Sequence, residues 1–327
     1  MKVCIYGAGA IGGFIGARLG ARGHAISAVA RGATLAALRD NGMRLRSGGQ
    51  ETAVPVAANE APSALGPQDL VVVAVKEPSM RAVADRIGPL LGEDTMVLTA
   101  MNGVQWWFFH GMAGPCAGLS LATLDPDGAI AAAIPDRHVV GCVVHASCTT
   151  PEPGVVQNVM GQGLIIGEPA GGASQRTAAL ARDLSAAGFD CRVSERIQQD
   201  IWYKLWGNMT MNPVSAFAGA TVDRILDDPL ANGFCQAVMR EAKAVGAAFG
   251  CPIEQSVEDR NAITRKLGAF KTSMLQDVEA GKPLEIDALL TVVREIAQRV
   301  GVATPNLDAL LGLTRIFARG RGLYPQA

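Results

Sequence analysis

The N-terminal stretch constrains the fold of this chain more than any other part of its sequence. A short apolar run over residues 2–6 leads into a G-x-G-x-x-G pattern at Gly7, Gly9 and Gly12, and an alanine-rich helical pattern follows to about Ala21. A buried strand, a tight glycine turn and a helix in this order predict a dinucleotide-binding unit, in which free N–H groups of the helix N-terminus bind the pyrophosphate. The strand before the glycines and the helix after them make the pattern specific.

The three glycines have different tasks in such a turn. Gly7 permits the tight turn out of the strand, Gly9 lets the backbone approach the pyrophosphate, and Gly12 lets the helix pack closely on the strand. The predicted cofactor loop consists of Gly7, Ala8, Gly9, Ala10, Ile11 and Gly12. The alternative is an ordinary glycine-rich turn without a ligand, in a chain that contains 38 glycines.

Composition excludes several classes of protein. The residues are 49% hydrophobic and 18% charged, so we expect a folded globular chain. A length of 327 residues is enough for two domains. Because the net charge is −1, the chain lacks the basic field that binds nucleic acid or anionic membranes. The longest purely aliphatic run, over residues 70–75, is far too short to span a bilayer.

Cysteine and histidine usage favours a cytoplasmic protein without a metal. The seven cysteines include no C-x-x-C pair and are typical of reduced, buried thiols. The N-terminus is itself a predicted core strand and lacks a signal-peptide pattern. The four histidines show no metal-ligand spacing, so no metal site is predicted.

The residue that follows the second predicted strand indicates which cofactor is bound. That strand runs from Ala25 to Ala30, and its carboxyl end is where NAD-binding proteins carry an acidic residue for the ribose 2′-hydroxyl. This chain has Arg31 there. A guanidinium suits a 2′-phosphate, which a carboxylate would repel, so the sequence favours NADP(H) over NAD(H). The alternative is a solvated loop arginine.

Two later predicted strands also end in residues that could meet a ligand. Lys76 follows the strand over residues 69–75, and Asn102 with Gly103 follows the strand over residues 96–100. Ligands of doubly wound sheets bind at the carboxyl ends of the strands, so both positions are candidates. A bare loop lysine and an Asn-Gly turn are the alternatives.

The pattern of the chain changes near residue 195. Before it, the sheet is extended by short β runs over residues 139–146, 154–158 and 164–167 and by a last strand to Val193, and a helical pattern covers residues 174–187. After it we find no strand pattern. Helices are predicted over residues 197–211, 229–250 and 286–300. We therefore predict an α/β fold, with an NADP-binding Rossmann-type domain over residues 1–195 and an all-helical domain for substrate binding and dimerisation over residues 196–327. The aromatic run Trp106-Trp107-Phe108-Phe109 is interpreted as packing.

A polar stripe marks the first helix of the second half. Lys204, Asn208 and Asn212 are spaced by four on one face, while Trp202 and Trp206 are on the buried side. A lysine with two amides suits an anionic carbonyl substrate, because the ammonium can neutralise a carboxylate or protonate a developing alkoxide. We expect Pro213 to end this helix at Asn212. A solvated lysine on an ordinary helix is the alternative.

Two further candidates lie later in the chain. Ser273 is in the segment Lys271-Thr272-Ser273-Met274, and Glu285 is in Pro283-Leu284-Glu285-Ile286. For Glu285 the alternative is structural, since acidic residues are favourable at the start of a helix.

In their order along the chain these residues resemble the ketopantoate reductases (2-dehydropantoate 2-reductases). The resemblance covers nearly the full length and is carried by the glycine turn, Arg31, Val75-Lys76, Asn102-Gly103, Lys204-x-x-x-Asn208-x-x-x-Asn212-Pro213, Ser273-Met274-Leu275-Gln276-Asp277 and Glu285-Ile286-Asp287. It implies hydride transfer from NADPH to a 2-oxo acid held between a Rossmann domain and a helical domain.

The resemblance also implies the roles of the site residues. Lys204 would donate the proton to the carbonyl oxygen, and Glu285 would be a catalytic or cofactor contact. Asn208, Asn212 and Ser273 would contact the substrate. The implied cofactor contacts outside the glycine turn are Arg31, Lys76, Asn102 (also a substrate contact), Ser147 and Glu285.

Two positions depart from the family pattern. Phe270 and Val222 stand where the family often has asparagines that hold the polar end of ketopantoate. We therefore expect a more apolar pocket and keep two alternatives: a related reductase of a different, more apolar 2-oxo or 3-hydroxy acid, and a catalytically silent NADPH-binding sensor. Ketopantoate is the leading substrate, and a homodimer is expected from the apolar helix faces of the second half.

Overall fold

The structure is a computed structural model, and it describes residues 1–326. Contacts divide the chain into two compact units. The first comprises residues 1–102 and 127–200, and the second comprises residues 103–126 and the chain from Ile201 onward. Relative to the predicted domains 1–195 and 196–327, the main difference is that the segment 103–126 belongs with the helical part. Its aromatic residues explain this, since Phe108 and Phe109 pack edge-on against Phe249 at 5.9 and 5.3 Å between ring centres.

The first unit is built on one ten-stranded mixed sheet. Its strands are β1 Lys2–Tyr6, β2 Ala25–Val29, β3 Met43–Ser47, β4 Gln50–Val54, β5 Ala57–Asn59, β6 Gln68–Val73, β7 Leu91–Thr99, β8 Val139–Glu152, β9 Val155–Gly167 and β10 Asp190–Val193. They are ordered β4-β3-β9-β8-β7-β6-β1-β2-β5, with β10 also paired to β9. The central strands β2, β1, β6, β7 and β8 are mutually parallel, as a doubly wound sheet requires.

Twelve α-helices complete the described chain. They are α1 Ala10–Ala21, α2 Gly32–Asn41, α3 Met80–Ile87, α4 Ala129–Ala133, α5 Gln175–Ala186, α6 Ile197–Ala218, α7 Val222–Asp227, α8 Pro229–Phe249, α9 Val257–Arg265, α10 Ser273–Glu279, α11 Val292–Val300 and α12 Pro305–Gly320. Short 3₁₀ turns lie at Pro62–Ala64, Glu77–Ser79, Gly88–Leu90 and Asp136–His138, and a π-helical turn at Asp287–Thr291 precedes α11. Among the described residues no strand follows β10, as the sequence predicts.

The core of the first unit explains why α1 begins where it does. A Cβ on Gly12 would lie 2.2 Å from the carbonyl oxygen of Gly7 and 2.9 Å from Ile5, so only glycine lets the helix pack this closely on β1. Farther along α1, Phe14 is completely buried, and its ring contacts that of Phe189 at 5.0 Å between centres.

Several predicted bounds are wrong in instructive ways. The runs expected over residues 154–158 and 164–167 form one strand, β9, because the intervening residues continue the antiparallel ladder with β8. The helix expected over residues 286–300 does have these bounds, with a π-helical turn at Asp287–Thr291 before α11. The expectation that Pro213 ends α6 at Asn212 is wrong, since α6 continues to Ala218. Proline removes one backbone hydrogen bond there, and burial of this part of the helix offsets the loss.

No described helix is long and apolar enough to cross a membrane.

Candidate active site

One row of register partners defines the carboxyl edge of the central sheet in the first unit. Tyr6 of β1 pairs with Val29 of β2 on one side and with Val73 of β6 on the other, and Val73 pairs with Thr99 of β7. The four strands therefore end level with one another. β1 lies where the connections to its two neighbours run in opposite directions, which is where ligands of such sheets bind.

Four of the predicted cofactor positions follow this row directly. Gly7 comes one residue after the row, Arg31 two residues after it, and Lys76 and Asn102 three residues after it. Arg31 is exposed, whereas Lys76 and Asn102 are half-buried. The sheet thus brings the four residues to one edge, where the sequence analysis places them.

The glycine turn leaves room for a pyrophosphate. Gly9 is the N-cap residue of α1 and offers no side-chain cap, and a Cβ built on it would meet nothing within 4 Å. Gly7 has a φ of +100°, which L-residues rarely adopt, and a Cβ there would lie 2.8 Å from the carbonyl oxygen of Ala74. An open N-terminus of α1 therefore faces unfilled space, as an anion site requires.

Arg31 lies at the end of β2, where the sequence predicts a contact to the ribose end of a dinucleotide. It is the N-cap residue of α2, and no described residue forms an ion pair with it. Burial raises the pKa of the nearby Tyr6 hydroxyl, and the positive charges of Arg86 and Arg31 act against that rise. The end of β2 is thus an electropositive region suited to a 2′-phosphate.

Ser147 lies farther past the row than the other cofactor candidates. It is on β8, six residues beyond Gly141, which pairs with Thr99 of the row. Because β8 is parallel to β7, this extension leads past the carboxyl edge of the sheet. Ser147 is half-buried and pairs with Met160 across an irregular part of the β8–β9 ladder.

In the second unit, the predicted substrate residues are carried by α6 and α10. Lys204 and Asn208 are half-buried, and Asn212 is 6% exposed. Asn212 Nδ2 donates to Ser273 Oγ at 3.5 Å, so the end of the polar stripe meets the first residue of α10. Thr272 fixes that helix start, since its hydroxyl accepts from the N–H of Leu275 at 3.2 Å.

The opposite face of α6 is a rigid aromatic support. Trp202 and Trp206 are completely buried, and Trp202 contacts Phe249 edge-on at 4.7 Å between ring centres. Trp206 Nε1 donates to the carbonyl of Met239 at 2.8 Å. The helix that carries Lys204 is therefore anchored on α8, and the orientation of the polar stripe is fixed.

Glu285 is buried just before the π-helical turn. Only 9% of the residue is exposed, and the turn continues through Asp287, whose carboxylate accepts from Tyr324 at 2.8 Å. Gly103 packs against the same turn. Its φ is +79°, and a Cβ there would lie 2.3 Å from the carbonyl oxygen of Ala288, so only glycine fits at this position. Gly103 thus permits a close backbone approach within the second unit.

No sequence pattern singles out Arg260, which lies on α9 beside α6. Its Nε is fully buried and donates to no acceptor, and burial lowers the pKa of its guanidinium below the ordinary value. The one signal in the sequence is Gly207, an isolated glycine inside a helical pattern.

No described group of His, Cys, Asp and Glu side chains could hold a metal ion.

Comparison with known proteins places both units in one family. The family described as "Ketopantoate reductase PanE/ApbA" matches residues 3–107, and its C-terminal counterpart matches residues 196–318. A 2-dehydropantoate 2-reductase of Mesorhizobium japonicum is 43% identical over 325 residues, which cover 99% of this chain and all of that protein.

Two solved structures support the same relationship. A protein of Ralstonia solanacearum MolK2 assigned to the ketopantoate reductases is 58% identical, with a TM-score of 0.96 over 99% of both chains. A 2-dehydropantoate 2-reductase of Geobacter metallireducens GS-15 is 28% identical, with a TM-score of 0.85 over 97% of this chain and 99% of the other.

Proposed function

We propose that this chain, which belongs to the ketopantoate reductase family, uses NADPH to reduce a 2-oxo acid to the 2-hydroxy acid, with ketopantoate as the leading substrate. The observation that carries the proposal is the hydrogen bond from Asn212 to Ser273 at 3.5 Å. It joins α10 to the helix face on which Lys204 and Asn208 lie. A half-buried lysine among fixed amides and a hydroxyl suits a small anionic carbonyl compound.

The first unit would hold the cofactor. The open N-terminus of α1 at Gly9 suits the pyrophosphate, and Arg31 suits the 2′-phosphate of NADPH. Lys76 and Asn102 are the further contacts that we assign to the same edge of the sheet, with Ser147 and Glu285 as contacts implied by the family. When bound, NADPH supplies the hydride.

Lys204 would supply the proton. As the carbonyl carbon is reduced, negative charge grows on its oxygen, and an ammonium at that oxygen stabilises the transition state more than the ground state. Transfer of the proton from Nζ to this oxygen completes the hydroxyl group and leaves a neutral amine, which regains its proton from solvent. Asn208 and Asn212, one and two turns along α6, would orient the substrate.

The substrate's side chain is where this chain differs from the family pattern. Val222 is 2% exposed and Phe270 is half-buried, so apolar side chains are packed at both positions where amides are expected. This favours a more apolar 2-oxo acid of similar size as the second candidate. A related 3-hydroxy acid remains the third.

A screen of NADPH oxidation against branched 2-oxo acids tests the proposal. Turnover of ketopantoate or a close relative is expected, with little use of NADH. Binding of NADPH without reduction of any 2-oxo acid would instead support a silent sensor, which has no need of a proton donor at Lys204. NADPH binding can be followed independently by fluorescence.

We further propose a homodimer formed through α12. Leu313 is 56% exposed and Ile316 is 72% exposed, and the small residues Ala309 and Gly312 are exposed near them. If two copies of the helix cross antiparallel at their midpoints, Ala309 faces Ile316 and Gly312 faces Leu313 of the other copy, so that small residues receive large ones. Sedimentation of the protein and of a Leu313→Lys variant tests this: the variant should be monomeric.

We infer a cytoplasmic location, where thiols stay reduced. Burial raises the pKa of three thiols strongly, to about 11 for Cys4 and Cys191 and about 12 for Cys235, so these cysteines are protonated and unreactive at neutral pH.

A further inference from the structure

Arg260 carries a positive charge that no carboxylate among residues 1–326 compensates. Its Nη1 donates to Thr264 Oγ1 at 3.0 Å, and its guanidinium carbon lies 5.4 Å from the centre of the Tyr203 ring. Its Nε is sealed from solvent and has no acceptor. Desolvating a charge costs free energy unless an opposite charge or hydrogen bonds compensate it, so an anion bound at the Nη groups would stabilise this side chain.

The position of this guanidinium is fixed by a glycine of α6. A Cβ built on Gly207 would lie 2.7 Å from Arg260 Nη2 and 3.2 Å from its guanidinium carbon. The guanidinium therefore occupies the space that a side chain at position 207 would fill. Any other residue at that position would have to displace the arginine.

This places Arg260 next to the predicted proton donor. Gly207 lies three residues after Lys204 and one before Asn208 on the same helix. Side chains three residues apart on a helix are neighbours, with Cβ atoms about 5–6 Å from each other. The guanidinium thus lies one side-chain position away from Lys204, on the flank of the polar stripe.

We infer that Arg260 binds the carboxylate of the substrate, beside the carbonyl group that Lys204 protonates. The inference rests on the proposed reduction of a 2-oxo acid. In such an acid the carboxylate is bonded directly to the carbonyl carbon, so the two groups need cationic donors on adjacent positions. A guanidinium binds a carboxylate through paired N–H donors.

The assignment also accounts for the apolar pocket. Val222 and Phe270 stand where amides are expected for the hydroxyl end of ketopantoate, and Arg260 on α9 would hold the other end, the carboxylate. The side chain of the substrate can then lie against apolar surface while its charge is held by Arg260.

The direct test is Arg260→Gln, with Arg240→Gln as the matched control. Arg240 is on α8, and its ion pair with Glu258 at 2.9 Å is more than half exposed, so its loss should matter little. Arg260→Gln should raise KM for the 2-oxo acid by about thirtyfold or more, because losing one partner of a buried charge pair is costly. The affinity for NADPH should stay within a factor of about two.

A second measurement separates substrate binding from a structural role. Wild-type enzyme should reduce a 2-oxo acid far better than the corresponding neutral 2-oxo amide, and Arg260→Gln should lose this preference. In thermal unfolding with NADP⁺ present, oxamate should raise the midpoint of the wild type but not that of Arg260→Gln, while Arg260→Lys should keep part of the effect.

The outcomes are separable from those of the proposed function. If the wild type reduces 2-oxo acids and Arg260→Gln keeps both its KM and its acid-over-amide preference, the inference is wrong and the reductase proposal stands. If the wild type reduces no 2-oxo acid, the reductase proposal fails and the oxamate experiment decides alone. If oxamate then stabilises the wild type but not Arg260→Gln, an anion site at Arg260 is supported. If oxamate stabilises both proteins equally, or neither of them, the inference is wrong.

Discussion

The backbone N–H of Val222 donates to the carbonyl oxygen of Phe270 at 3.0 Å. These are the two positions at which the family resemblance leads us to expect asparagine, and they are far apart in sequence. The hydrogen bond makes them neighbours at the start of α7, so the two departures are one local change. A single patch of the second unit has become apolar.

This relationship predicts the substrate preference. Ketopantoate carries a hydroxyl that an apolar patch cannot bind, whereas a site built to hydrogen-bond a hydroxyl discriminates strongly against analogues that lack it. We expect a higher kcat/KM for a branched, apolar 2-oxo acid of similar size than for ketopantoate, measured with both substrates in competition. In a Val222→Asn, Phe270→Asn double variant the ratio should shift toward ketopantoate. A marked ketopantoate preference in the unaltered protein would show that other residues bind the hydroxyl.

Cofactor choice should depend on Arg31. Arg31→Ala removes the guanidinium assigned to the 2′-phosphate, so KM for NADPH should rise about tenfold or more, which is about 1.4 kcal/mol, while KM for NADH barely changes. Steady-state kinetics with each cofactor measures this, and Arg39→Ala, also on α2, is the control. Equal weakening of both cofactors would refute the 2′-phosphate assignment.

The glycine turn allows binding and stability to be separated. A side chain on Gly9 meets nothing within 4 Å, and serine is a good N-cap residue, so Gly9→Ser should fold normally but weaken NADPH binding by about tenfold or more. Gly12→Ala instead forces a Cβ to within 2.2 Å of a backbone oxygen and should lower the free energy of unfolding by about 1–3 kcal/mol. Calorimetric titration and urea unfolding of both variants check the two effects. Unchanged NADPH affinity in Gly9→Ser would mean that the pyrophosphate lies elsewhere.

The sequence predicted the carboxyl edge of the sheet better than the helical unit, for a physical reason. The neighbouring parallel strands β2, β1, β6 and β7 end level, so the residues just after them converge once the strands are recognised. The Tyr6–Val29–Val73 row follows from local apolar runs alone. Helices have no comparable register. Which helices contact each other depends on packing between side chains that are far apart in sequence.

Arg260 and Pro213 illustrate the limit in the second unit. Nothing near Arg260 in the sequence distinguishes it from a surface arginine, because its burial depends on the absence of a side chain at Gly207, on another helix. The rule that proline ends helices is local as well, and the buried packing around α6 overrides it. The link between Asn212 and Ser273 likewise spans 61 positions.

Acid should destabilise the first unit through Glu168. Burial alone would raise the pKa of this carboxyl, but hydrogen bonds from Arg176 and Ser174 lower it below the ordinary value. A carboxyl whose pKa is lowered by folding stabilises the fold fully above its unfolded-state pKa, and this stabilisation is lost as the pH falls through the lowered value. Between pH 7 and pH 3 the stabilisation from this carboxyl should therefore decrease.

Urea unfolding of the protein and of Glu168→Gln at both pH values measures this loss. The variant should be less stable at pH 7 and show a smaller further loss at pH 3. An identical pH dependence in the two proteins would assign the acid sensitivity to other groups.

The reductase account depends most directly on Lys204, and the turnover number of Lys204→Met tests it. Methionine keeps an unbranched side chain of similar length but removes the charge and the proton, so kcat should fall by roughly a hundredfold or more. NADPH affinity, followed by fluorescence, should stay within a few-fold of the original, and Lys204→Ala should be about as damaging. Near-normal turnover in either variant would contradict the account, because the proton would then come from another group.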